Sequence, residues 1–225
     1  MSNLNKDAIL EILSPNSKRL YFIFGGLAAG MGMPPFEFYN ASKILEENKI
    51  FLRDFSQSWY QKGLPEIGSD LIAIKNFAQK KIEAYKPSEV YFVGNSMGGF
   101  AAILLGAMLN TGTTIAFAPQ TFISIPKRLR YLDYRWLYEI TKTHLTTQKE
   151  KRIFDLERYL HANPSPNNTI HILVSKNDRL DIIHANQLEK FQNTNIHIYQ
   201  DGGHELVRYL RNQGVLPNIL LGKFD

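Results

Sequence analysis

Short apolar runs recur along the chain, and each gives way to a segment with a different pattern of apolar and polar positions. Runs of five to seven residues rich in β-branched and aromatic side chains are typical of strands buried in a parallel sheet. We predict six such strands, at Leu20–Phe24, Lys49–Phe55, Glu89–Val93, Thr113–Ala118, Thr169–Val174 and Ile196–Gln200.

Helical patterns separate the predicted strands. Ile67–Tyr85 repeats apolar residues every three or four positions, and Pro87 follows it as a stop signal. Phe36–Asn48 also looks helical, and a helix of small residues begins near Phe100. This alternation predicts an α/β fold, with a mainly parallel sheet of about six strands and helices on both faces.

The segment from residue 119 to residue 168 departs from the alternation, because it has helical patterns and no convincing strand. It holds nine Lys or Arg and five Asp or Glu, which is +4 of the chain's formal net charge of +5. We predict a single domain over residues 1–225 in which residues 119–168 form a helical cap insertion. The cap would lie over the C-terminal edge of the sheet, where open α/β sheets bind ligands.

Composition narrows the classes of function. A chain of 225 residues with 44% hydrophobic residues fits one globular domain. The absence of cysteine excludes disulfides, thiolate metal sites and cysteine nucleophiles. The N-terminal residues lack a signal-peptide core, and the most apolar stretch, Phe100–Leu109, is too short for a bilayer. We therefore expect a cytoplasmic protein with no membrane span.

Two kinds of ligand are not expected. The positive charge is modest and no nucleic-acid reader motif is visible, so we expect no nucleic-acid partner. No tight group of His, Asp and Glu falls on one element, so we expect no metal site.

Ser96 is the candidate nucleophile. It lies in the sequence Gly94-Asn95-Ser96-Met97-Gly98, between a predicted buried strand and the small-residue helix. This fits the G-x-S-x-G nucleophile elbow, a strained turn whose flanking positions must be glycine because side chains there would collide with strand or helix. The turn exposes the serine hydroxyl and points the first helix amides toward a substrate oxygen. The alternative is an ordinary strand-to-helix turn.

A serine needs a base, and His204 is the candidate. Serine is a weak nucleophile until a base removes its proton, and the elbow requires a histidine later in the chain with an acid between them. His204 follows the last predicted strand in the sequence Asp-Gly-Gly-His, from where a loop can reach back to the elbow. The other histidines fall in strands, in the predicted cap or at a helix start: His144, His161, His171, His184 and His197.

Two aspartates compete for the acid. Asp178 and Asp181 both follow the fifth predicted strand. We predict that Asp178 holds the imidazole of His204 in one tautomer and stabilises the imidazolium. Asp181 is the rival, and we expect it to cap the following helix, Ile182–Phe191.

The tetrahedral intermediate of acyl transfer needs hydrogen-bond donors for its oxyanion. One should be the backbone N–H of Met97, the residue after the nucleophile. The second should come from the loop after the first strand, where Leu27 and Gly26 both qualify. The alternative for the glycines of this loop is a tight turn without a catalytic role.

Substrate-binding residues are expected on two segments. In the loop after the second strand, Gln57 and Trp59 could line a pocket, or the loop could simply be well packed. In the cap, Lys127, Arg128 and Arg130 could bind an anionic substrate, or they could belong to a solvated helical face.

The order Ser96, Asp178, His204 and the strand–turn–helix context of the serine resemble the α/β-hydrolase superfamily. The resemblance covers Leu20 to Leu210, with the cap as its divergent part. It implies the α/β-hydrolase fold and an acyl-enzyme chemistry shared by esterases, lipases, thioesterases, peptidases and some acyltransferases.

A narrower resemblance is to bacterial capsular-polysaccharide O-acetyltransferases built on this fold. It rests on the small-residue elbow helix, on Ala118-Pro119-Gln120 after the fourth strand and on the Gly-Gly-His around His204. It implies acetyl transfer from acetyl-CoA to sugar hydroxyls. The chain departs from common lipases in having no His-Gly before the oxyanion loop and no broad apolar lid, so a long-chain lipid substrate is less expected.

These observations predict a serine enzyme with a small-molecule ester or an acidic glycan as substrate. The first hypothesis is a carboxylic-ester hydrolase that acts on a small, acetyl-type ester through an acyl-enzyme, without a cofactor. The alternative is an O-acetyltransferase with acetyl-CoA as the acyl donor. A third hypothesis is a non-catalytic binding module, against which the complete set of catalytic residue types argues. The sequence does not indicate an oligomeric state.

Overall fold

The computed structural model describes residues 7–27, 36–148 and 152–224. Its strands are β1 (Ile9–Ile12), β2 (Arg19–Phe24), β3 (Asn48–Leu52), β4 (Glu89–Asn95), β5 (Thr113–Phe117), β6 (Thr169–Ser175) and β7 (Thr194–Tyr199). Its α-helices are α1 (Leu71–Tyr85), α2 (Met97–Leu109), α3 (Ile125–Tyr131), α4 (Leu137–Thr146), α5 (Leu156–Ala162), α6 (Arg179–Asn186), α7 (Leu206–Asn212) and α8 (Leu216–Leu220). Two short 3-10 helices span Ala41–Ile44 and Gly203–Glu205.

The seven strands form one sheet in the order β1-β3-β2-β4-β5-β6-β7. All neighbouring pairs are parallel except β1 with β3, which are antiparallel. The α/β prediction with a mainly parallel sheet is thus confirmed. The additional strand is β1, whose four residues are all only half-buried at the sheet edge.

Side chains of the central strands alternate between two apolar layers. In β2, Leu20, Phe22 and Phe24 face the layer that contains α1, α2 and α5. Tyr21 and Ile23 face the opposite layer, which contains α7 and α8. Helices therefore cover both faces, as predicted, and both faces of the central strands are removed from water.

The burial of helix α2 explains why its sequence is apolar on all sides. All eleven residues from Met97 to Ala107 are buried, against β4, β5 and neighbouring helices. A helix with no solvent face needs no polar stripe, and its small residues allow close approach to the sheet. The first turn of this helix is consequently fixed with respect to the strand that precedes it.

Two predicted elements are shorter than expected. The second predicted strand, Lys49–Phe55, ends at Leu52, because the Asp54 carboxylate accepts the N–H groups of Ser56, Ser58 and Tyr60 and turns the chain. In the region predicted to be helical at Phe36–Asn48, the structure has only the 3-10 helix Ala41–Ile44.

Three helices, α3 to α5, lie in the segment between β5 and β6. The start of this segment is tied to the residues around the start of α5, since Ile123 N donates to Phe154 O (2.8 Å) and Leu156 N donates to Thr121 O (2.9 Å). The Gln61 side chain exchanges two hydrogen bonds with the backbone of Ile153, at 2.9 and 3.0 Å. The segment is thereby fastened to the loop that follows β3. Within the described residues, no helix has the length and apolar character needed to cross a membrane.

Candidate active site

Ser96 occupies a strained turn between β4 and α2. Its backbone angles are φ 53° and ψ −114°, a combination that is costly for a residue with a side chain. A Cβ at Gly94 would lie 2.1 Å from the Gly98 carbonyl oxygen, and one at Gly98 would lie 2.3 Å from the Phe24 carbonyl oxygen. Only glycine fits these two positions, which is the physical reason for the G-x-S-x-G spacing.

Hydrogen bonds hold the backbone of Ser96 in this turn. Ser96 N donates to Phe117 O at 2.9 Å, and Ser96 O accepts from Phe100 N at 3.1 Å and from Gln120 N at 3.3 Å. The side chain remains directed toward the loop after β7, where its Oγ lies 3.0 Å from Nε2 of His204. The two residues predicted as nucleophile and base are thus in hydrogen-bond contact.

His204 reaches Ser96 from the loop between β7 and α7. Gly202 and Gly203 adopt φ values of 111° and 53°, which glycine accepts without strain, and His204 follows in a 3-10 turn. Its Nδ1 lies 2.8 Å from Oδ2 and 3.0 Å from Oδ1 of Asp181. Asp181 has no exposed surface. Its carboxylate therefore accepts Nδ1–H and leaves Nε2 free to accept the serine proton.

The prediction that Asp178 contacts His204 is wrong, because the structure places Asp178 elsewhere. It is the N-cap of α6, where its Oδ1 accepts the N–H of Asp181 at 2.9 Å. The residue expected to cap the helix and the residue expected to contact the imidazole have exchanged places. The reason is that the cap residue is bound to its own helix, whereas a side chain in the first turn is free to point back toward the sheet edge.

Asp181 has a second partner that the sequence did not predict. Nη1 of Arg135, from the turn between α3 and α4, lies 2.8 Å from Asp181 Oδ1. Nε of the same guanidinium donates to Oδ1 of Asp133 at 3.1 Å. Asp133 is fully buried and also accepts from Nε2 of His184 at 3.0 Å. Arg135 thus bridges two buried carboxylates.

The surroundings of Asp133 fix its ionisation. Burial alone would raise the pKa of Asp133, but hydrogen bonds from His184 and Arg135 outweigh it and hold that pKa well below its usual value. Burial lowers the pKa of His184. Since Nδ1 of His184 accepts the N–H of Thr121 at 3.0 Å, its proton lies on Nε2 and is donated to Asp133.

Asp178, Asp181 and His204 each bring a potential metal-ligand atom within 4.8 Å of the others. The guanidinium of Arg135 already lies 2.8 Å from Asp181 and 3.8 Å from Asp178. The positive charge that two neighbouring carboxylates require is therefore supplied by the protein itself.

Of the predicted oxyanion donors, Gly26 is excluded by its own hydrogen bond. Gly26 N donates to Oε2 of Glu37 at 2.6 Å, and Oε1 of Glu37 accepts from Nδ2 of Asn95 at 2.8 Å. Burial raises the pKa of Glu37, against the lowering effect of these two donors. Met97 begins α2, where no helical carbonyl is available to its N–H. Leu27 is buried at the end of the described part of the loop after β2, and residues 28–35 lie outside the described residues.

The predicted substrate-binding residues after β3 differ in their surroundings. Trp59 has no exposed surface, and its Nε1 donates to Oε1 of Gln120 at 3.1 Å, so it is a packing residue and not a substrate contact. Gln57 is half-buried. A cleft of about 700 Å³ opens beside this loop, and Phe55, Ser56 and Lys62 are among its lining residues.

Two of the three cationic side chains predicted to bind substrate between β5 and β6 are already engaged. Lys127 pairs with Asp155 at 2.9 Å and with Glu157. Arg128 is buried and donates to Arg135 O at 2.6 Å. Arg130 is exposed, with its guanidinium over the ring of Tyr131. Of these three side chains, Arg130 is the one that remains available to an anion.

Comparisons with known proteins agree with the fold. No protein-family model matches the chain, and no curated protein matches it significantly. Among solved structures, the capsule O-acetyltransferase of Neisseria meningitidis serogroup A superposes with a TM-score of 0.65 over 93% of this chain and 90% of that one, at 18% identity. A histidine-to-alanine mutant of that enzyme in complex with CoA gives a TM-score of 0.66 over 93% and 90%, at 17% identity.

Hydrolases are also among the similar structures. A lipase-esterase related protein from Clostridium acetobutylicum has a TM-score of 0.60, 14% identity and coverage of 96% of this chain and 98% of that one. MenH from S. aureus has a TM-score of 0.59, 14% identity and coverage of 96% and 97%. At these identities the likeness establishes architecture and not substrate. The chain therefore has the α/β-hydrolase fold, which it shares with esterase-related proteins and with a capsule O-acetyltransferase.

Proposed function

We propose that the chain is a serine acyl-transfer enzyme in which Ser96 forms an acyl-enzyme. The observation that carries the proposal is the unbroken series of contacts from Ser96 Oγ through the imidazole of His204 to the buried carboxylate of Asp181, at 3.0 and 2.8 Å. This is the arrangement that converts a serine hydroxyl into a nucleophile.

In the first half-reaction, Ser96 Oγ attacks the carbonyl carbon of an ester while Nε2 of His204 accepts the hydroxyl proton. Asp181 stabilises the imidazolium that forms. The N–H of Met97, with Leu27 as the candidate second donor, stabilises the oxyanion. When the intermediate collapses, His204 returns the proton to the departing oxygen or sulfur, and the acyl group remains on Ser96.

In the second half-reaction, a hydroxyl compound gives its proton to His204 and its oxygen attacks the acyl carbon. The bond from that carbon to Ser96 Oγ then breaks, and His204 returns the proton to Oγ. Attack by water makes the protein a carboxylic-ester hydrolase acting on a small acyl ester. Water and a sugar hydroxyl would attack the same acyl carbon with the same base. Which of them is the acceptor therefore depends on which one reaches the acyl group.

A second candidate function is O-acetyl transfer to a sugar hydroxyl with acetyl-CoA as donor. The observation that favours it is the likeness to the capsule O-acetyltransferase of Neisseria meningitidis serogroup A over nine-tenths of both chains. A mutant of that protein has been captured with CoA. The exposed cation Arg130 would suit an acidic glycan or the phosphates of CoA.

The test has two stages. First, the wild-type protein, Ser96→Ala and Ser88→Ala are exposed to p-nitrophenyl acetate and to a fluorophosphonate probe. Ser88 is a matched control, since its hydroxyl donates only to Lys18 O at the exposed start of β4. We expect acetate release and probe labelling for wild type and Ser88→Ala. Both should be lost in Ser96→Ala, and an active, labelled Ser96→Ala protein would contradict the proposal.

Second, the wild-type protein is incubated with acetyl-CoA, with and without acidic capsule-type glycans. Hydrolysis of simple esters without stimulation by glycan supports the hydrolase. Acetyl transfer to glycan with little acetate release supports the transferase. In both cases Ser96→Ala should be inactive, because the acyl-enzyme is common to the two reactions.

A further inference from the structure

Asp181 and Asp133 are two buried carboxylates joined by one guanidinium. Both have no exposed surface, and Arg135 lies between them, 2.8 Å from Asp181 and 3.1 Å from Asp133. Taking a carboxylate out of water is costly unless a cation and hydrogen bonds compensate it. Arg135 provides that compensation to the same carboxylate that contacts His204.

The turn that carries Arg135 is itself held in place. Arg135 N donates to Asp133 Oδ1 at 3.0 Å, and Arg135 O accepts from Nη2 of Arg128 at 2.6 Å. Trp136, which follows, adopts φ 56° as α4 begins. The guanidinium is therefore delivered from the segment between β5 and β6 in a defined orientation. It does not hang from the surface as a flexible side chain.

The charged and titratable groups around Asp181 and His204 come from several elements. Asp178 lies 3.8 Å from the guanidinium, Arg128 lies 3.9 Å from Asp133, and Glu37 is close enough to His204 for their charges to interact. Glu37, Arg135 and Asp178 lie near the pair itself, and Asp133 on the far side of the guanidinium is contacted by Arg128 and His184. Within this set, Arg135 is the cation in contact with Asp181.

We infer that Arg135 is a positioning residue for catalysis, which fixes the Asp181 carboxylate against His204 and offsets the charge of that carboxylate. The inference rests on the proposed function of Ser96. Its physical basis is that the positive guanidinium opposes the positive imidazolium across a shared carboxylate. It also means that the segment between β5 and β6 contributes directly to the reactivity of Ser96.

Loss of the guanidinium should change the pH dependence of Ser96 labelling in a definite direction. Without it, the negative charge near His204 is less compensated, and the protonated imidazolium, which cannot accept the serine proton, is favoured. The acidic limb of the pH–rate profile for Ser96 labelling should therefore move toward higher pH in Arg135→Met, and the plateau should fall because Asp181 is no longer held.

The experiment measures the rate of Ser96 labelling by a fluorophosphonate from pH 5 to pH 9, per folded molecule, in the full chain. This readout needs neither the natural donor nor the acceptor. The variants are Arg135→Met, Arg135→Lys, Arg135→Ala and, as a matched control on the same segment, Arg130→Gln. We expect the shifted limb in Arg135→Met, a limb close to wild type in Arg135→Lys, and no change in Arg130→Gln.

Chemical rescue separates positioning from folding. The Arg135 side chain is 22% exposed, so free guanidinium at low millimolar concentration can enter the gap left in Arg135→Ala. We expect it to restore part of the labelling rate. A rate that falls by the same factor at every pH, with no limb shift and no rescue, would overturn the inference. Absence of Ser96 labelling in the wild-type protein would instead refute the proposed function.

Discussion

Substitution of Asp181 by Asn tests which aspartate supports the base. In the wild-type protein the Asp181 carboxylate accepts Nδ1–H of His204 at 2.8 Å with no access to water. An amide in its place has no charge to stabilise the imidazolium. It can also present N–H to Nδ1, which selects the tautomer that has its proton on Nε2, facing Ser96. That tautomer cannot accept the serine proton.

The magnitude follows from the geometry. Loss of both the charge and the correct tautomer in serine enzymes costs about four orders of magnitude in kcat, or about 5 kcal/mol in the barrier. Asp178→Asn is the matched control, three residues away in the same turn. Asn caps a helix as well as Asp, and the bond to Asp181 N can be kept. We expect its rate of Ser96 acylation within about threefold of wild type and its free energy of unfolding within about 0.5 kcal/mol.

The assay is single-turnover acylation of Ser96 by p-nitrophenyl acetate at pH 7.5, with thermal unfolding of each variant measured in parallel. The unfolding data are needed because Asp181→Asn also leaves Arg135 without one of its carboxylates. If Asp178→Asn were to slow acylation more than Asp181→Asn in equally folded proteins, the assignment drawn from the contacts would be refuted.

Three further predictions concern packing, pH and the cap. In Gly98→Ala the new Cβ would lie 2.3 Å from the Phe24 carbonyl, so we expect a loss of about 2–3 kcal/mol in denaturant unfolding, whereas Gly25→Ala, with no atom nearer than 3.6 Å, should be tolerated. Burial, assisted by a neighbouring histidine, lowers the pKa of His171 to about 4. The folded state thus binds fewer protons than the unfolded chain between pH 6.5 and 4, and wild type should lose about 1–2 kcal/mol more stability than His171→Phe as the pH falls through that window. For an acidic acceptor at low salt, Arg130→Glu should raise KM several-fold while Lys127→Gln leaves it within twofold; equal effects would contradict the pairing of Lys127 with acidic side chains.

The layered fold could be predicted because its signals are local. A run such as Leu20–Phe24 is buried on both faces, and its uninterrupted series of apolar residues is sufficient to predict that burial. Strand β1 carries no such signal, since its four half-buried residues pair only with β3 at the edge. The strand Asn48–Leu52 ends early because the Asp54 carboxylate collects three backbone N–H groups, and nothing in an isolated Asp reveals such a turn.

The contact between Ser96 and His204 could also be predicted, because both residues sit in loops whose glycines mark sharp turns at one sheet edge. The carboxylate that contacts His204 could not. Asp178 and Asp181 both suit the first turn of α6, and either type of residue can cap a helix. The choice depends on where the loop after β7 delivers the imidazole, and that is a property of the assembled sheet.

Net charge was also an insufficient guide to anion binding in the segment between β5 and β6. Its excess of Lys and Arg predicts a surface for anions, yet Lys127 is paired with acidic side chains of α5 and its preceding turn, and Arg128 is buried against the turn that carries Arg135. Arg135 reaches inward to Asp181. A charge count cannot tell a solvated cation from one that neutralises a buried carboxylate, because the difference is in partner and burial. Of the seven Lys and Arg side chains described in this segment, four are engaged with partners within it or with the acid beside His204: Lys127, Arg128, Arg135 and Arg152. An anion must therefore be recognised by the exposed cations among the described residues, which are Arg130, Lys142 and Arg158.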